Sequence, residues 1–325
     1  MSPAARPSRV LAAFCAGVLL ACVAAGGALA LISHFAYGPV APVRSYFEAL
    51  QDGQGGRALS FLNAEVPEGD GAAMDGKALR QASRAVEDVR YETVEKSGET
   101  ATVRAHYRIN DADAATDFSL HRTGTWGGLF PTWEIDPTEL PTVEVTAPAT
   151  GAATLNQQKV GIPEGGQSFP VFYPGVYAAD YASDLLSAPE VSTAVTDPEK
   201  PTEPLKLAVE PSQRVEDSVK AQVGEQLDRC AEQDSLYPAG CPFEYDFDGR
   251  VDGDVAWSIT QYPNAGARVK ADGSWELVNP AGSARVQFRK MDLYTGEVSE
   301  VSKTVKFTIR ADLRPEGDDV VVTLR

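Results

Sequence analysis

Residues 10–32 read VLAAFCAGVLLACVAAGGALALI, 23 positions without a charge or a strongly polar group. At 1.5 Å per helical residue such a run crosses a hydrocarbon core of about 30 Å with some tilt. A helix satisfies every backbone N–H and C=O within itself, as lipid requires. Arg6 and Arg9 precede the run, and no acidic residue occurs before Glu48. Basic flanks stay cytoplasmic, so the sequence predicts a tail at 1–9, a transmembrane helix at 10–32, and an extracytoplasmic remainder. Without Arg6 and Arg9 the formal charge of -17 becomes -19, all of it after residue 32. Two other readings keep the same compartment. Ala28-Leu29-Ala30 fits a signal-peptidase site, and Leu19-Leu20-Ala21-Cys22 loosely fits a lipobox. Both rank below a retained anchor, because the apolar run outlasts a usual signal-peptide core and continues past Cys22.

The compartment governs the four cysteines. Cys15 and Cys22 fall in the apolar run, where they are small apolar fillers. Cys230 and Cys241 lie beyond it, and an outward-facing domain occupies an oxidising space, so a disulfide between them is expected. Closing a loop of this size contributes about 2–3 kcal/mol in the chain-entropy model. The remaining composition excludes several functions. With 46 acidic against 29 basic side chains and a pI near 4.6, the chain lacks the clustered cations that nucleic acid demands. Three histidines and four cysteines leave little for a zinc or haem site, and no cofactor is expected.

A length of 325 residues suggests two or three domains, and three segments follow the apolar run. The first, 37–140, opens with Val43, Tyr46, Phe47 and Leu50 at helical spacing. Gly53, Gly55 and Gly56 break that helix, and short helices are expected at 57–63 and 77–86. Strands then take over, with Ala101, Val103, Ala105 and Tyr107 alternating against polar neighbours. Helices first and strands afterwards give an α+β module. The second segment, 141–204, is rich in Pro, Thr, Ala and Gly and predicts a small all-β insert ending in a stiff, solvated connector at 197–204. The third, 205–325, carries Val215, Val219, Val223, Leu227 and Ala231 at intervals of four, so a helix is expected over 211–233. A strand meander follows, with Asp272-Gly273 as a hairpin turn. The expected whole is an N-terminal transmembrane helix followed by helix-on-antiparallel-sheet modules with the all-β insert between them.

PVRSYFEALQDG at 42–53, followed by RALSFL at 57–62, resembles the opening helices of NTF2-like modules found on bacterial extracytoplasmic proteins. The third segment, with Cys230, Cys241 and Trp257-Ser258-Ile259, looks like a second NTF2-like or cystatin-like unit. The whole plan is similar to single-pass membrane proteins of Actinobacteria and, more distantly, to teicoplanin-resistance-associated membrane proteins. It departs from the latter in having only nine residues and no cysteine before the apolar run, which leaves no zinc ribbon. The resemblance implies an envelope protein acting in wall stress or antibiotic response.

Sites of chemistry are sparse. The acidic run 244–254 superficially matches a calcium loop, but counting from Asp246 the fifth and twelfth positions hold Arg250 and Trp257, where oxygen ligands are needed. A solvated turn is expected instead. No G-x-S-x-G elbow and no phosphate-binding glycine loop occur, and the histidines are His34, His106 and His121. Trp257, Tyr262, Trp275 and Phe288 are candidate pocket aromatics that read better as core filling. Phe169, Phe172, Tyr173 and Tyr177 crowd a stretch broken by Pro and Gly, which suggests an exposed contact surface. A binding protein follows as the first expectation, its partner an envelope protein, a wall polymer or a small ligand. An acid–base enzyme within an NTF2-like cavity and a structural spacer are the alternatives.

Overall fold

In the computed structural model, residues 38–127, 130–148, 150–270 and 272–325 are described. The expected transmembrane helix at 10–32, the tail at 1–9 and His34 lie outside them. Among the described residues no helix is long and apolar enough to cross a membrane.

The chain is mixed α+β and mostly antiparallel. Helices α1 (Val40–Gln51), α2 (Gly55–Leu62) and α3 (Gly76–Arg84) precede strands β1 (Val86–Ser97), β2 (Thr100–Ile109), β3 (Ala112–Trp126) and β4 (Phe130–Ile135). These strands pair in chain order as one antiparallel sheet. The alternation along β2 does what its period requires. Ala101, Val103, Ala105 and Tyr107 are buried, while Arg104, His106 and Arg108 are exposed or nearly so on the outer face. Val43, Tyr46, Phe47 and Leu50 turn the apolar stripe of α1 onto the inner face. Gly53, at φ +67°, makes the close turn after α1, where a Cβ would meet the Gly76 carbonyl oxygen at 2.3 Å.

The second segment is all β: β5 (Thr142–Thr146), β6 (Ala152–Leu155), β7 (Gln158–Gly161), β8 (Gln167–Pro170), β9 (Gly175–Ala182) and β10 (Leu186–Val195). It continues into the short strands β11 (Leu205–Lys206) and β12 (Glu210–Pro211). One sheet has the order β12-β10-β9-β6-β7, the other β11-β5-β8. This segment shares one continuous hydrophobic core with the first, running from Val43 to Leu207. Asn156 pins the two together. It is buried, its amide donates to the Ala78 and Val176 carbonyls, and its Oδ1 accepts from Ala178 N at 2.7 Å.

A second core begins at Val215. Helix α4 (Gln213–Ala231) buries Val215, Val219, Val223, Leu227 and Cys230. It starts two residues later than its sequence pattern suggested. Pro211 is held in β12 against Leu186, and Ser212 caps the helix by accepting from Val215 N. Strands β13 (Arg250–Gln261), β16 (Ala281–Met291) and β17 (Val298–Thr308) form an antiparallel sheet. Two hairpins accompany it, β14 (Gly266–Val269) with β15 (Trp275–Val278), and β18 (Ala311–Glu316) with β19 (Asp319–Leu324). Gln222 of α4 donates to the Val320 carbonyl and accepts from Val322 N, which fixes the last hairpin to the helix.

Candidate functional site

The expected disulfide is present. Cys230 and Cys241 are joined, with their Cα atoms 5.8 Å apart. The bridge ties the end of α4 to the loop before β13. That loop is also held by the Trp257 indole donating to the Ser235 carbonyl and by Ala239 N donating to Gln233 Oε1.

The aromatic stretch corrects the expectation of a contact surface. Phe169 and Tyr177 are fully buried, and Phe172 and Tyr173 are 1% and 3% exposed. A β insert standing alone has no room for four rings, but α1 and the first sheet cover this one. Tyr46 donates its hydroxyl to the Tyr173 carbonyl at 2.5 Å, and the Phe118 and Tyr173 rings stack at 6.0 Å. Tyr177 donates to the Phe172 carbonyl at 2.7 Å. Burial in these apolar surroundings pushes the Tyr173 phenol up to about 12 and raises those of Tyr46 and Tyr177 further. The space beneath the first sheet is therefore occupied by side chains. In the third segment Trp257 and Phe288 are core residues, while Tyr262 is half-exposed and bonded to Asp228.

The histidines do not converge. His106 faces Glu92 at 3.5 Å on the outer face of the first sheet. His121 Nδ1 lies 2.6 Å from Asp136 Oδ1, an Asp–His pair of the kind that orients a general base. It sits on the surface, and no serine or threonine hydroxyl bonds to His121 among the described residues. No group of three or more His, Cys, Asp or Glu among the described residues has metal-binding geometry.

One concavity among the described residues is an open groove of about 750 Å³. One wall is β5 with the turn 163–166, and the other is the connector 198–204. The connector is shaped by Pro198, Pro201 and Pro204 and by Asp197, whose side chain accepts from Glu199 N and pairs with Lys200 at 3.1 Å. Thr202 donates to the Thr142 carbonyl, which clasps the connector to β5. Gly166 has φ +106°, and a Cβ there would lie 2.9 Å from the Thr146 methyl group. Glycine is thus needed where the turn approaches β5. Glu139, Glu144 and Glu199 line the groove together with Lys200, so it can accept hydrogen bonds from ammonium, amide or hydroxyl groups. A second cleft of about 740 Å³ shares Gly165 and Gly166 and is also lined by Asp272 and Gly273. Neither was legible beforehand, because their walls come from segments tens of residues apart and no local pattern marks them.

The chain matches no family model, no curated protein and no solved structure.

Proposed function

We propose that this is an envelope protein anchored through residues 10–32, with everything after them facing outward, and that it acts by binding. The first unit, in which three helices precede a four-stranded antiparallel sheet and the first two pack against it, fits an NTF2-like module. The third, a helix against an antiparallel sheet, fits the NTF2-like or cystatin-like plan. The observation that carries the reading is the Cys230–Cys241 disulfide, since a reducing cytosol does not keep such bridges. A binding role is favoured over acid–base catalysis because Tyr46, Phe118 and Tyr173 fill the space that a catalytic cavity would occupy. The ligand seat is the carboxylate-lined groove, and its occupant is an extended chain rich in amide, amine or hydroxyl donors, from a wall polymer or an envelope protein. The resemblance to teicoplanin-resistance-associated proteins supports a role in the response to wall damage.

Photo-crosslinking in intact cells tests this. A photoreactive residue at Glu199, in the groove, is expected to capture an envelope component that the same residue at Lys220, exposed on α4, does not. Equal capture from both positions overturns the groove. Resistance of the chain to protease added to spheroplasts overturns the outward placement.

A further inference from the structure

Strand β9 has two faces. Tyr177 and Ala179 point into the core and are fully buried, while Val176, Ala178 and Asp180 alternate with them and are half-buried on the other side. There they floor a pocket of about 410 Å³, joined by Ser192 of β10, which pairs with Ala178. That volume lies in the lower part of the range of small-molecule sites, about 300–1,000 Å³. The last turn of α3 supplies one wall, and the β2–β3 and β6–β7 turns supply others.

Both turns are two-residue hairpin loops, closed by the pairs Ile109–Ala112 and Leu155–Gln158. Their central residues all have positive φ: +49° and +62° at Asn110 and Asp111, +44° and +66° at Asn156 and Gln157. A turn of this kind favours glycine at its second position, and a glutamine there is strained. Asn156 fixes the second turn through its bonds to Ala78 of α3 and to Val176 and Ala178 of β9. The Gln157 side chain bonds to nothing else among the described residues, so no local contact offsets its backbone conformation. Strain that the fold imposes without a local return marks positions where function selects the side chain.

The charges in the pocket are also uncompensated. The Arg84 guanidinium bonds only to Gln81 Oε1, at 3.2 Å. The carboxylates of Asp180 and Glu190 bond to nothing among the described residues, and no ion pair joins either of them to Arg84. On the outer face of the first sheet, by contrast, Arg104 and Arg108 pair directly with Asp117 and Glu87. Opposite charges thus line one small pocket without neutralising each other. A purely anionic ligand is disfavoured by the two carboxylates, and a purely cationic one by the guanidinium. A molecule that carries both signs satisfies all three.

We infer that this pocket binds a zwitterion of small size, a free amino acid or a short peptide with both ends unblocked. Its carboxylate meets the donor fork of Arg84, and its ammonium group meets Asp180 and Glu190. The carboxamides of Asn110 and Gln157 can bond a peptide group between the ends, and Val176 and Ala178 leave room for a small apolar side chain. The site is separate from the groove and stands whether or not the chain is anchored as proposed above.

The test uses the full chain in detergent micelles and dialanine with both ends free, read by saturation-transfer NMR. Transfer from the protein to the dialanine methyl groups is expected. Binding should weaken about tenfold or more for N-acetyl-dialanine, for dialanine amide, and for dialanine with the Arg84→Gln or Asp180→Asn variant. The Asp180 side chain bonds to nothing and that of Arg84 only within its own helix, so both variants should keep the parent's unfolding midpoint. Gln157→Gly should raise that midpoint by relieving the turn and still weaken binding. Absence of transfer to dialanine overturns the site. Equal binding of free and blocked peptides overturns the zwitterion. Binding unchanged across the three variants places the peptide elsewhere, and overturns the inference as well.

Discussion

The two cores solve the same problem by different means. The first gathers residues from Val43 to Leu207 and contains no covalent tie, since its span holds no cysteine. The second begins at Val215, has far fewer buried residues, and carries the disulfide at the buried end of its helix. A small unit buries too little apolar surface to offset chain entropy comfortably, and a staple that restricts the unfolded chain makes up the difference. The larger core relies instead on aromatic rings and on buried polar bonds that join distant segments. Between the two runs a short polar joint: Ser212 N donates to the Leu185 carbonyl, and Arg214 pairs with Asp184 at 2.9 Å.

Alkali separates the cores most widely. Burial raises the phenols of Tyr91, Tyr107 and Tyr173 to about 12, and those of Tyr46 and Tyr177 higher. A phenol whose pKa is higher folded than unfolded contributes stability that is complete below the unfolded value, about 10. That stability is lost as pH rises through the folded values. The first core is therefore expected to unfold cooperatively as pH climbs past about 10, with its phenolate absorbance appearing in the same step. The second keeps its shifted phenols, Tyr237 and Tyr262, near the surface, bonded to Asp246 and Asp228. It is expected to hold over the same window, with the helical signal of α4 retained. Simultaneous loss of both would mean that they are one cooperative unit.

Next in size is Phe118→Ala. Truncating a ring that touches Tyr46, Phe47 and Tyr173 is expected to cost about 3–5 kcal/mol. Hydrogen exchange is the informative readout. Because the first two segments share a core, amides of β9 should lose protection together with those of β2, while α4 is unaffected. Unchanged protection in β9 would split that core at residue 141.

Removing the staple acts on the other side. The Cys230→Ser, Cys241→Ser double variant is expected to lose about 2–3 kcal/mol in the second core alone. In calorimetry one transition should move down and the other stay fixed. A shift of both would show that the joint at Ser212 and Arg214 transmits stability.

What could be read in the sequence divides along physical lines. The stripe of α1, the alternation of β2 and the four-residue spacing of α4 are local periodicities, and the structure realises each of them; Asp272-Gly273 falls in the turn between β14 and β15, but in a longer loop than a two-residue turn, since the pairing closes at Val269 and Trp275. Periodicity names the apolar face of an element but not what covers it. Hence Phe169, Phe172, Tyr173 and Tyr177 looked like a surface until α1 and β3 were placed over them. Strand β18 carries Pro315, which is tolerated because, among the described residues, only β19 pairs with that strand. The disulfide was legible because Cys230 and Cys241 are close in sequence and are the two cysteines outside the apolar run. The groove was not, because Glu139, Gly166 and Thr202 meet only through the fold.

The smallest effect sharpens the contrast between what holds a core and what decorates it. On the outer face of the first sheet, Arg104 donates two bonds of 2.6 Å to Asp117 across β2 and β3. Those bonds, and the positive charge behind them, hold the Asp117 carboxyl below its ordinary range. A depressed carboxyl contributes stability above its unfolded pKa and loses it as pH falls through the folded value. Arg104→Gln should let Asp117 return toward about 3.9, visible as a shifted carboxyl titration by NMR. Because both partners face solvent, the difference between variant and parent should shrink in high salt, and thermal unfolding at neutral pH should barely move. A clear drop in the first transition at neutral pH would instead mean that this pair sets the register between β2 and β3, and that the larger core is held from its outer face as well as from within.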